Sequence, residues 1–172
     1  RQRQMCIRDR VTGVRAEASA DPVALLADAE SMPGFLPLYW HSDSGDLRAD
    51  ISGLDGPLIY YTGLSQGVGS NDLGLDRGRL GDTHLVQFER VGGKVLLKAL
   101  NTRYVARSER TAERAAVAQA FAQSVLWGFE VVAEGDGQLI IDLTEFVQRD
   151  AMGLGRWLNM QGEGTYRVDP TR

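Results

Sequence analysis

Between Thr83 and Leu100 two alternating runs flank a Gly92-Gly93 pair, and no other stretch restricts the fold as tightly. Val86 and Phe88 share one face of the first run, and Val95, Leu97 and Ala99 share one face of the second. A period of two places such side chains on one side of a strand. A glycine pair supplies the positive φ that a two-residue hairpin turn needs. The segment is therefore a β-hairpin with one buried face.

Similar units recur. In Asp46 to Ile51, the apolar Leu47, Ala49 and Ile51 alternate with Asp46, Arg48 and Asp50. Gly53 to Gly56 follows as a turn and Leu58 to Thr62 as a second strand, so these two runs are expected to pair as a hairpin. Further on, Trp127, Phe129 and Val131 alternate, Gly135-Asp136-Gly137 turns the chain, and Leu139 to Leu143 returns. Glycine makes up 20 of 172 residues and collects between the apolar runs. Average usage is about 7 %.

Helices are expected at four places. Asp21 to Met32 has a capping Asp21 followed by Pro22, with Val23, Leu26 and Ala27 on one face. The main helix is expected over Ser108 to Ser124, capped by Ser108 or Thr111, with Val117, Ala118 and Phe121 as its apolar stripe. Thr144 caps a short helix through Gln148, and Ala151 to Met160 forms another. Phe35 to His41 is an extended lead-in, and Gly162 to Val168 begins a further extended piece. Strands arriving as successive hairpins, with a helix between pairs, define an antiparallel, β-rich α+β domain.

Residues 33–172 are read as that single domain, stopping mid-strand as a fragment would. Residues 11–32 form a lead-in. Residues 1–10 (RQRQMCIRDR) have no helical or strand period and read as translated adapter sequence, to be set aside. On that reading the absence of a signal peptide carries no meaning, and the sole cysteine, Cys6, is not part of the natural chain. The rest then offers no disulfide, thiol nucleophile or Cys-ligated metal.

Net charge is −4 and the pI about 5.2. That leaves no basic footprint for nucleic acid. No apolar run reaches the roughly 18 residues of a membrane span.

Between Leu58–Thr62 and the strand His84–Arg90 lies Gly63 to Gly78, with five glycines, two aspartates and an arginine. Loops of this length are functional or disordered more often than not. Gly67-Val-Gly69 resembles a phosphate loop but lacks the third glycine, since Asp72 stands there, and no helix opens behind it. Asn71, Asp72 and Asp76 could ligate calcium, although EF-hand spacing is missing. The structural alternative is that Asn71 and Asp72 make local turns and Asp76 pairs with Arg77 or Arg79. The loop residues Gly67, Gly69, Asn71, Asp72, Asp76 and Arg77 are candidates for holding its shape and presenting it to a neighbour.

Other chemistry is sparse. His41 and His84 are the two histidines, with no HExxH pair and no GxSxG elbow. Asp142 and Glu145 could act as an acid–base pair, or Asp142 could close a strand and Glu145 favour a helix start. Tyr60 and Tyr61 could form an aromatic platform for sugar. One of them must point away from the core if the run is a strand.

Gly34-Phe-Leu-Pro-Leu-Tyr-Trp40, the Asp46–Ile51 strand, Gly67 to Gly78, the hairpin running into Asn101-Thr-Arg103, Phe121 to Trp127 and Ile141 to Phe146 occur in one order. In that order they resemble the N-terminal region of a family of bacterial zinc-dependent metalloproteases, whose front end consists of domains of unknown function. The resemblance covers about Pro33 to Arg172, and the long loop is its strongest marker. It implies a parent with a metzincin-type catalytic domain downstream, zinc held there and by no residue of this chain, and export to the periplasm or beyond. It implies a non-catalytic domain whose partner is the catalytic domain in cis. A free-standing protein- or carbohydrate-binding module is the alternative, and a small hydrolase using Asp142 and Glu145 a third.

Overall fold

A computed structural model describes residues 20–67 and 71–169. The tract 1–10, with Cys6, lies outside the described residues, as does Gly69.

Eight antiparallel strands form one sheet curved into a half-barrel. They are β1 (Glu30–Met32), β2 (Leu38–His41), β3 (Asp46–Asp50), β4 (Leu58–Gly63), β5 (Leu80–Val91), β6 (Lys94–Ala99), β7 (Ser124–Gly135) and β8 (Gln138–Asp142). The order across the sheet is β1-β2-β3-β8-β7-β6-β5-β4. Two meanders, β1 to β3 and β4 to β8, are therefore joined where β8 returns to pair with β3.

This order corrects the expected pairing of Asp46–Ile51 with Leu58–Thr62. β3 pairs with β2 and β8, whereas β4 pairs with β5 at the far end of the sheet. The Gly53–Gly56 turn is the start of a crossing, not a hairpin. Leu54 plugs into the core along the way, with its N–H donated to the Ile51 carbonyl at 3.0 Å. Alternation sets which face of a strand is buried but not which strand lies beside it.

The other two hairpins form as expected. β5 and β6 meet at Val91 and Lys94 around Gly92-Gly93, with Gly92 at φ 60°. β7 and β8 meet at Gly135 and Gln138, with Asp136 and Gly137 both at positive φ, the signature of a type I′ turn.

The core lies on one face of the sheet. Ala49, Ile51, Val86, Val95, Leu97, Phe129, Ile141 and Leu143 are buried together there, with Leu47, Trp127 and Val131 packed against them. Ile140 is fully buried as well, although it is not part of this cluster. α1 (Pro22–Leu26) touches β7 and β8, and its Pro22 is buried.

The helices depart from expectation in length and role. Asp21 caps α1, accepting the Val23 N–H at 3.2 Å, but the helix ends at Leu26, Val23 is exposed, and residues 30–32 form β1. The expected main helix shrinks to α2 (Thr111–Ala120) and buries no residue. Its N-cap is Arg110, without a side-chain cap, and the backbone leaves helical geometry at Phe121 because Ser124 already begins β7. α3 (Thr144–Gln148) and α4 (Leu154–Met160) appear near their expected places. Thr144 is not the cap of α3. It is the first helical residue, and its hydroxyl accepts the Leu47 N–H at 3.0 Å, tying α3 to β3. Residues 162–169 form no strand.

At the end of β3, Asp50 is buried and accepts N–H groups from Ser52 at 2.9 Å, from the Gln138 side chain at 3.1 Å and from Leu139 at 3.4 Å. Burial pushes its carboxyl up, but these donors together outweigh burial and hold it below the ordinary carboxylate value.

Candidate functional site

α3 follows β8 and packs Phe146 against the core. The Phe146 ring lies 5.8 Å from Tyr60, 5.7 Å from Trp127 and 5.1 Å from Phe129, the latter two edge-on. Edge-on rings are a favoured aromatic geometry. β4 and β7 are thus linked through one side chain.

Arg149, just past α3, folds back over that cluster. Its guanidinium lies 4.1 Å above the Phe146 ring and 5.3 Å from the Trp127 ring. Nε donates to the Phe146 carbonyl at 3.0 Å, and Nη2 donates to the Tyr60 hydroxyl at 2.8 Å. Among the described residues, no carboxylate lies within ion-pairing distance of it. The adjacent Asp150 is committed elsewhere. Its two oxygens accept the N–H groups of Leu154 at 2.7 Å and Gly155 at 2.8 Å, at the start of α4.

Beside this cluster opens a cavity of about 640 Å³. Tyr60, Thr62 and Leu64 form one wall, Phe146 and Arg149 are in the lining, and Leu154, Leu158 and residues 166–168 complete it. Gly155 sets the α4 wall, since a Cβ there would lie 2.7 Å from the Tyr166 carbonyl oxygen. Most of the lining surface is apolar.

The long loop occupies residues 64–79 and joins β4 to β5 within a single hairpin, so it is not a crossover between two hairpins. Its ends are closed by Leu64 N–H to the Arg79 carbonyl at 3.0 Å and Gly78 N–H to the Leu64 carbonyl at 2.8 Å. Its shape depends on residues outside the expected set. Leu75 is buried, Trp157 of α4 donates Nε1–H to the Leu73 carbonyl at 3.1 Å, and Arg79 donates to the Gly74 carbonyl at 2.6 Å while lying 5.1 Å from the Trp157 ring. Gly67 sits where the two arms touch, with the Arg77 nitrogen and Leu75 oxygen 3.1 and 3.2 Å from where a Cβ would be. Asn71 opens a 3₁₀ turn through Leu73. Asp72, Asp76 and Arg77 are exposed, and their side chains make no hydrogen bond or ion pair among the described residues. Asp76 therefore pairs with neither Arg77 nor Arg79. No three His, Cys, Asp or Glu side chains converge to hold a metal among the described residues.

The remaining candidates are scattered. Asp142 accepts the Thr144 N–H at 2.8 Å, closing β8 into α3, and Glu145 is exposed in the first turn of α3. Tyr60 faces inward and Tyr61 is 60 % exposed, as strand geometry requires. His84 is half-buried on β5, paired with Tyr60. His41 lies 2.8 Å from Arg48 Nη1. A guanidinium only donates, so the imidazole Nε2 accepts and the ring proton sits on Nδ1. Arg149 and Trp157 are the residues that sequence reasoning passed over. Neither lies in a motif, and only their positions, Arg149 at the end of α3 near β4 and Trp157 within α4 near the loop, make them important.

The fold and groove define an antiparallel half-barrel domain with a cleft between its edge strand β4 and two short helices. Residues 78–172 match the family described as a domain of unknown function, DUF5117, and the chain belongs to that family. The match begins at the last glycine of the Gly63–Gly78 stretch, so it runs from β5 to α4 and leaves out nearly all of the expected marker loop. No curated protein and no solved structure matches the chain. No helix among the described residues is long and apolar enough to cross a membrane.

Proposed function

We propose that this is a non-catalytic domain of an exported bacterial zinc-dependent metalloprotease, packing in cis on a downstream catalytic domain that alone holds the zinc. The order of motifs from Gly34 to Phe146 motivates the parent class. The structural observation that carries the packing role is the excursion between β6 and β7. There α2 buries none of its residues, Val105 is exposed, and Tyr104 stacks on Phe121 at 3.9 Å, also in the open. A helix of this length gains most of its stability from packing an apolar face, and among the described residues this one buries no side chain, Val117 alone being half-buried. Clustered exposed apolar groups mark interaction surfaces.

The test compares the full-length parent protein with a form lacking residues 33–172. The expected result is lower soluble yield, or altered restraint of proteolysis before activation. Equal solubility, activity and restraint would refute the reading.

A second reading, a free-standing binding module, is supported by the groove beside β4.

A further inference from the structure

The geometry points to a ligand for that groove: an extended peptide that adds as a strand to β4 and places an acidic side chain on Arg149. This site is separate from the α2 surface, so it stands whether or not the parent is a protease.

Three observations converge. First, β4 ends the sheet and, among the described residues, has β5 as its only neighbour. No hydrogen bond outside the β4–β5 ladder engages the backbone of residues 58–62 among the described residues. The outer row of N–H and C=O groups is therefore available to another strand. Proteins that leave such an edge open commonly receive a peptide on it, with main-chain bonds giving affinity and pockets for alternate side chains giving specificity.

Second, the cavity lies along the same strand. Inward-facing Tyr60, Thr62 and Leu64 line it, while Ile59 and Tyr61 point away. A strand laid beside β4 would alternate in the same way, sending every second side chain toward the apolar wall of Leu154 and Leu158.

Third, the charge is unbalanced. Arg149 is half-buried and makes two hydrogen bonds, both to neutral acceptors, and Nη1 makes none. Of the two other charged groups in the lining, Asp150 spends both carboxylate oxygens on α4 and Arg167 is a second cation. A partly desolvated guanidinium with donors to spare complements a carboxylate. A nucleic-acid phosphate would need more cationic surface than a chain of net charge −4 offers.

The test is selection of a random-peptide phage library on the immobilised full chain, followed by fluorescence anisotropy with the enriched peptides, C-amidated. Enriched sequences are expected to carry one Asp or Glu flanked by alternating apolar residues. Exchanging that acid for its amide, or N-methylating alternate peptide nitrogens, should weaken binding by about tenfold or more, the scale of a lost charge-assisted or ladder hydrogen bond. Arg149→Gln should abolish the preference for acid over amide, and Arg149→Lys should retain part of it. If Arg149→Gln does not fold, the acid–amide pair on the natural chain still decides. Four outcomes would overturn the proposal: no enrichment over bare support, enriched peptides that lack an acid, binding that needs a free C-terminal carboxylate instead of a side chain, and concentration-dependent pairing of two copies through β4.

Discussion

Arg149 donates a hydrogen bond from Nη2 to the Tyr60 hydroxyl at 2.8 Å, joining the residue after α3 to the edge strand of the sheet. The contact spans 89 positions in sequence and forms one end of the groove. It helps hold the guanidinium 4.1 Å from the Phe146 ring centre, so the cation is positioned by neutral acceptors.

Phe146 is the mechanical centre of this arrangement. Phe146→Ala should destabilise the domain by about 3 kcal/mol, because it removes ring contacts to Tyr60, Trp127 and Phe129 at once. Urea denaturation should show a lower midpoint at unchanged slope. A loss below about 1 kcal/mol would mean that α3 is not required to close the half-barrel.

Asp50 gives the fold a defined acid sensitivity. Its carboxyl is held below the ordinary value in the folded state, so the folded protein binds fewer protons there than the unfolded chain. The stabilisation is present above the unfolded value of about 4 and is lost as pH falls through the lower folded value. Asp50→Asn should be less stable than the natural chain at pH 7, and the gap should narrow below about pH 4. Parallel stability curves for the two proteins over that range would contradict this.

The loop should respond to Trp157 more than to its own charges. Trp157→Phe removes the hydrogen bond to the Leu73 carbonyl and should cost about 1 kcal/mol, with faster amide exchange in residues 64–79. Asp76→Asn and Arg77→Gln should each stay within about 0.5 kcal/mol of the natural chain, because their side chains are exposed and make no hydrogen bond or ion pair among the described residues. The reverse ranking would return the loop's shape to its charged residues.

Gly155 is fixed by close approach. Gly155→Ala would force a methyl group to 2.7 Å from the Tyr166 carbonyl oxygen and should displace residues 166–168 from the groove wall. Tyr166 should then become more accessible to solvent quenchers of its fluorescence. Unchanged quenching would show that the wall yields without cost.

Local order was legible from the sequence. The Gly92-Gly93 and Asp136-Gly137 turns, the inward faces of β3, β5, β6 and β7 and the Asp21 cap all follow from periodicity and short-range hydrogen bonding. These depend on residues a few positions apart, which a sequence displays directly. The length of α2 was not legible, because Phe121 to Ser124 suit either a helix end or a strand start, and pairing with β6 decides between them.

The sequence by itself determined most of the strands and their alternating apolar faces, but not β1, which reads as helix, nor the start of β7. Only the tertiary structure decided the neighbours, through the crossing that carries the chain from β3 in the interior to β4 at the edge. That one long-range choice made Gly63 to Gly78 part of a hairpin loop, left the outer side of β4 open, and brought Arg149 to Tyr60. The physical reason is that alternation specifies a face, whereas strand partnership is set by the summed burial of Leu54, Ile141 and Leu143 against β3 and by hydrogen bonds such as Thr144 to Leu47.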